Sequence, residues 1–145
     1  MKTFLFVLAA MISTGALAGS ADALMRELAW QKRVVLIFTP TAELPEYVHQ
    51  NRLLKGAGPG LNERDIVILR IFSSGEVTKD AVPAGLDAEM FYQKYAQHRS
   101  SFSVLLVGKD TGVKLQQHAP LEVETLFGVI DAMPMRRYEM LGRDD

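Results

Sequence analysis

The chain contains no cysteine. That count closes several chemistries, because a thiolate is the reagent of disulfide exchange and of thiol peroxidases, and the ligand of zinc–thiolate and iron–sulfur centres. The groups left for chemistry are charged. Arg64-Asp65 follows Glu63, and Arg136-Arg137 precedes Glu139 and Arg143. A guanidinium matches a carboxylate or phosphate through two parallel hydrogen bonds. Arg64, Asp65, Arg136 and Arg137 are therefore the candidate binding residues for an anionic ligand. An enzyme built on them predicts their convergence in one pocket. The competing explanation is structural. Arg64 and Asp65 would fix a loop onto a strand, which contributes about 0–1 kcal/mol when exposed. Arg136, Arg137 and Arg143, expected beyond the last helix, would be favoured by its dipole, and Glu139 could neutralise one of them. No catalytic residue is assigned.

The segment Thr39 to Tyr47, TPTAELPEY, offers a second polar group in Glu43, Glu46, Tyr47 and His49. Acidic residues in a first helical turn also complement the helix dipole, and that explanation is preferred. Met133 and Met135 carry soft thioethers, with His118 or Met140 as conceivable copper partners, but methionine more often fills core gaps. His49, His98 and His118 fall in different elements, so no zinc site is expected. No cofactor pattern is present. Lys109-Asp110-Thr111-Gly112 leads into a strand, unlike a phosphate loop, and reads as a tight turn with Gly112 at positive φ. Gly56-Ala57-Gly58-Pro59-Gly60 reads as a loop that opens no helix, and no GxSxG nucleophile elbow occurs.

These residues hang on a simple order of elements. Helical spacing marks Asp22 to Trp30. Arg33 to Phe38 and Ile66 to Phe72 are continuous apolar runs, the pattern of strands buried on both faces. Between them Glu43 to Leu54 returns to helical spacing, with Pro45 tolerable in a first turn. Ser73 to Gly85 reads as a surface loop. Leu86 to His98 is a helix capped by Asp87. Phe102 to Val107 and Val113 to Gln117 form a hairpin. Pro120 opens a last helix that Pro134 ends or kinks. The order α-β-α-β-α-β-β-α predicts one α/β domain with helices on both faces of a central mixed sheet.

Residues 1–18 have the form of a secretory signal: Lys2, an apolar run from Phe4 to Ile12, and small residues at Ala16 and Ala18. The run is too short to span a membrane, and no later span follows. The domain is expected over residues 19–145, in the periplasm or secreted. The formal charge of −1 suggests no nucleic-acid partner.

This order is similar to the thioredoxin fold, a βαβ half followed by a helix, a β-hairpin and a terminal helix. More narrowly, Trp30-x-x-Arg33, Glu63-Arg64-Asp65, Leu106-Val107-Gly108-Lys109-Asp110 and the block Ile130-Asp131-Ala132-Met133-Pro134-Met135-Arg136-Arg137 with Glu139 resemble a bacterial exported family of unknown function. That family is itself similar to the peroxiredoxin-like domain of secreted vertebrate proteins such as equarin and the sushi-repeat proteins. The resemblance covers nearly all of the chain after residue 18. It implies a thioredoxin-like fold and an exported setting, with no implied activity. Redox relatives would carry cysteine within TPTAELPEY and a proline near Ser101 to Ser103, and neither is present. The expected function is a redox-inactive binding or interaction module with an unknown protein or anionic ligand. The alternatives are a non-thiol enzyme working on an anionic substrate through the arginines, and a structural envelope protein.

Overall fold

The computed structural model describes residues 20–142. The expected signal segment and Arg143 lie outside the described residues. Ser20 caps α1 (Ala21–Leu28), its side-chain oxygen accepting from the Ala23 amide at 3.0 Å. β1 (Arg33–Thr39) follows, and every one of its residues is buried. α2 (Pro45–Lys55) begins with Pro45 in its first turn, as its missing N–H allows. The glycine-rich stretch then departs from expectation. Gly58, Pro59 and Gly60 open a short helix, α3 (Gly58–Glu63). Pro59 lies where no intrahelical donor is needed, and Gly60 lies where a Cβ would stand 2.6 Å from the Phe127 ring. Glycine is therefore required at Gly60 by close approach.

β2 (Ile66–Phe72) has its expected bounds. The region from Ser73 to Gly85 is more ordered than a loop, containing β3 (Val77–Lys79) and β4 (Val82–Pro83). α4 (Ala88–Lys94) is shorter than its apolar pattern suggested, and Asp87 caps it, accepting from the Glu89 amide at 3.0 Å. β5 (Ser103–Val107) and β6 (Val113–Gln117) form the hairpin. In its turn the left-handed residue is Thr111, at φ 70°, and not Gly112. α5 (Val123–Asp131) is followed by α6 (Pro134–Leu141), a helix that the apolar pattern of the sequence does not announce. Pro134 does end α5, since a residue before proline is driven from the α region, and Met133 is extended at ψ 141°. Pro134 then serves as the first residue of the next helix.

The strands form one mixed sheet in the order β4-β3-β2-β1-β5-β6. β1 and β2 are parallel, with Arg33 opposite Ile66, and the other pairs are antiparallel. Alternation along the strands divides the core. Val34, Leu36, Phe38, Leu69 and Leu105 pack with Met25, Leu28, Phe91 and Tyr92 of α1 and α4. Val35, Ile37, Ile68, Val104 and Leu106 face Tyr47, Leu54, Leu61, Leu126 and Ile130 of α2, α3 and α5. Burial on both faces explains why these strands carry no polar alternation. Among the described residues no helix is long and apolar enough to cross a membrane.

Candidate functional site

β1 begins with an arginine that is 1% exposed. A charge this deep needs partners, because an unpaired buried ion is costly. Arg33 forms a two-armed contact with Glu139 of α6, Nη1 donating to Oε2 and Nη2 to Oε1, each at 3.2 Å. Its Nη1 also donates to the Arg64 carbonyl at 2.9 Å. Lys109, just beyond β5 and buried, donates from Nζ to Glu139 Oε1 at 2.5 Å and to Asp65 Oδ2 at 3.0 Å. Asp65 stands between α3 and β2 in the left-handed region, at φ 54°, a conformation that aspartate tolerates.

A second group adjoins the first. Arg64 grips Asp131, the last residue of α5, with Nε to Oδ1 at 3.0 Å and Nη2 to Oδ2 at 2.8 Å. Its Nη1 donates to the Gly60 carbonyl, and its guanidinium lies 3.9 Å above the centre of the Phe127 ring. Arg136, 1% exposed, donates to Asp131 Oδ1 at 3.0 Å, Glu63 Oε1 at 2.9 Å and the Glu63 carbonyl at 3.2 Å. Arg136 Nη1 also approaches Glu139 Oε2 at 3.7 Å, linking the two groups. Arg33, Arg64, Lys109 and Arg136 thus meet Glu63, Asp65, Asp131 and Glu139, and the formal charges cancel.

The field of the cluster is visible in its acids and bases. Hydrogen bonds from Arg64, joined by those from Arg136, hold the Asp131 carboxyl below its ordinary value against the opposing effect of burial. Burial would raise Glu139, but donation from Lys109 and Arg33 outweighs it and keeps that group low as well. Burial would lower Arg136, yet its bonds to Asp131 and Glu63 raise it. All three are fixed in their charged forms at neutral pH.

Of the four residues singled out from the sequence, Arg64, Asp65 and Arg136 enter the cluster. Arg137 is exposed and stands apart. The expectation that Arg136 and Arg137 trail the last helix is corrected: they lie near the start of α6, where a helix dipole disfavours cations. Side-chain partners hold Arg136 there. Arg33 and Lys109 were missed as members. The available signal was a cation at the boundary of each apolar strand, where a buried run meets a charge.

The cluster sits where β1 and β2 begin. Open α/β sheets usually bind ligands at the opposite, carboxyl end. At that end Thr39 Oγ1 donates to the Thr41 carbonyl and Ser73 Oγ to the Pro40 carbonyl, both at 2.7 Å. Tyr47 is buried edge-on against Phe72, while Glu43, Glu46 and His49 are exposed. Among the described residues, no group of three or more histidine and acidic side chains is placed to hold a metal. His118 Nδ1 lies 3.1 Å from the Phe102 carbonyl, Met133 packs on the core, and Met135 is exposed.

The chain is similar to the coiled-coil domain-containing protein 80 of Danio rerio, 26% identical over 141 residues. That alignment covers 83% of this chain and only 16% of the relative. A family model described as Domain of unknown function (DUF4174) matches residues 24–139, a stretch that holds the whole charged cluster from Arg33 to Glu139. The chain belongs to this DUF4174 family.

Proposed function

We propose that this is an exported, redox-inactive, thioredoxin-like domain that works as a protein-binding module, in the periplasm or outside the cell. The observation that carries the binding role is the orientation of α6. Its charged Arg136 and Glu139 turn inward to the cluster, while Met135, Tyr138 and Leu141 are exposed. Those three recur at intervals of three residues and share one side of the helix. An apolar stripe facing outward from a well-anchored helix is the mark of an interaction surface. The fold reading is supported by the succession β1-α2-α3-β2, α4, the β5–β6 hairpin and α5, into which β3 and β4 are inserted before α4. Absence of cysteine removes the chemistry of that fold's redox members. The relative from Danio rerio, in which the matching region is a small fraction of a longer chain, fits a module.

The enzyme alternative gains little from this geometry, since Arg64 and Arg136 donate to Asp131, Glu63 and Gly60 within the fold. The test places a photo-crosslinking amino acid at Tyr138 in the exporting cell. The expected result is a discrete adduct that disappears with Leu141→Ser while the melting temperature holds. A smear, or no adduct, would remove the proposed face. The purified protein should give no turnover of peroxide or of insulin disulfides above background, and real turnover would overturn the redox-inactive reading.

A further inference from the structure

A pocket of about 460 Å³ opens at the angle between the β5–β6 turn and the bend joining α5 to α6. That volume lies in the range of small-molecule sites. Its walls differ in chemistry. One side carries Arg33, Lys109 and Lys114, and the other Val129, Met133 and Met135. Among the described residues, Asp110 is the single carboxylate in the lining.

The three cations are not equivalent. Lys109 is committed to Asp65 and Glu139. Arg33 is held by Glu139 and the Arg64 carbonyl, yet among the described residues its buried Nε has no hydrogen-bond partner. The charges of this wall are paired, but the Arg33 donor is left unsatisfied, which burial makes unfavourable. Lys114 is one-third exposed and donates to Asp110 at 2.7 Å. Both partners of that pair reach solvent, and such pairs are weak. Lys114 can exchange Asp110 for another anion at small cost. Gly108, also in the lining, makes room for it: a Cβ there would stand 2.7 Å from Lys114 Cε and 3.0 Å from Asp110 Oδ1.

We infer that this pocket binds a small amphipathic anion, a carboxylate head on an apolar chain. The head sits beside Lys114 on the cationic wall, and the chain lies along Val129, Met133 and Met135. This site shares Met135 with the proposed partner face, but its charge recognition rests on Lys114 and uses neither Tyr138 nor Leu141.

Decanoate and decanol, both below their aggregation limits, are the probes. They are titrated into the purified full domain by calorimetry and by amide NMR. Decanoate should bind saturably, one per chain, and move the amide signals of Gly108, Gly112 and Met133. Decanol should bind at least about tenfold more weakly, the ratio that one well-placed charge readily supplies. Lys114→Glu should weaken decanoate by about tenfold with an unchanged melting temperature, and Lys114→Arg should restore binding to within about threefold. Non-saturable binding, equal affinity for the alcohol, or indifference to Lys114→Glu would each overturn the assignment. Loss of crosslinking at Tyr138 would leave it untouched, so the two readings fail separately.

Discussion

Replacing Glu139 with alanine tests whether the charged cluster clamps α6 to the body. Glu139 accepts both arms of Arg33 and the ammonium of Lys109. Its removal leaves Lys109 with Asp65, but among the described residues leaves the side chain of Arg33, 1% exposed, with only the Arg64 carbonyl. Breaking a fully buried ion pair costs about 3–5 kcal/mol, because a charge is left without compensation. Glu139 is itself 22% exposed, so water reaches part of the gap. The expected loss is about 2–3 kcal/mol, a large part of the roughly 5–15 kcal/mol available to a domain of this size. In thermal melts this corresponds to a fall of about 6–15 °C. Urea unfolding followed by circular dichroism gives the free energy, and hydrogen exchange in α6 shows where the loss falls. The double variant Arg33→Met with Glu139→Leu should recover much of the deficit, since apolar groups can replace a buried pair at little net cost. A loss below about 0.5 kcal/mol, within the range of ordinary surface changes, would refute the clamp. So would a double variant whose loss equals the sum of the singles, showing no coupling between the two residues.

Asp131 and Glu139 are held below their ordinary values in the folded state, so their contribution to stability is complete above the unfolded carboxylate range and is lost as pH falls through their folded values. Acid titration below about pH 4 should loosen α6 before the sheet, read as early loss of protection of the amides of residues 137–141. Simultaneous loss of helix and sheet would contradict this order. Thr111 sits in the left-handed region at φ 70°, where a β-branched residue is penalised by about 1–2 kcal/mol. After allowance for the greater freedom of glycine in the unfolded chain, Thr111→Gly should gain about 0.5–1 kcal/mol and raise the melting temperature. A lower melting temperature would show that the side chain makes a contact outweighing the strain.

Strands were the most legible elements. The runs Arg33–Thr39 and Ile66–Phe72 announce burial on both faces, and both faces are covered. The cap at Asp87 and the stop at Pro134 follow from local backbone chemistry, and both hold. Where the structure departs from local preference, packing overrides it. Gly58–Glu63 is helical because it lies against Phe127, with Leu61 in the core. Pro134–Leu141 carries no apolar signal because the residues it turns inward, Arg136 and Glu139, are charged, and an apolar periodicity cannot reveal a helix anchored by them.

By itself the sequence determined the absence of thiol chemistry, the α/β class and the buried strands, since residue type and two-residue or helical spacing suffice for each. It marked Arg64, Asp65 and Arg136 as unusual cations and acids. Only the tertiary structure decided their use. Arg33, Lys109 and Glu139 lie up to 106 positions apart in the chain, and no local rule pairs residues at that distance. Their meeting depends on β1, β5 and α6 ending at one place. There the low polarizability of the interior requires each buried charge to find its opposite.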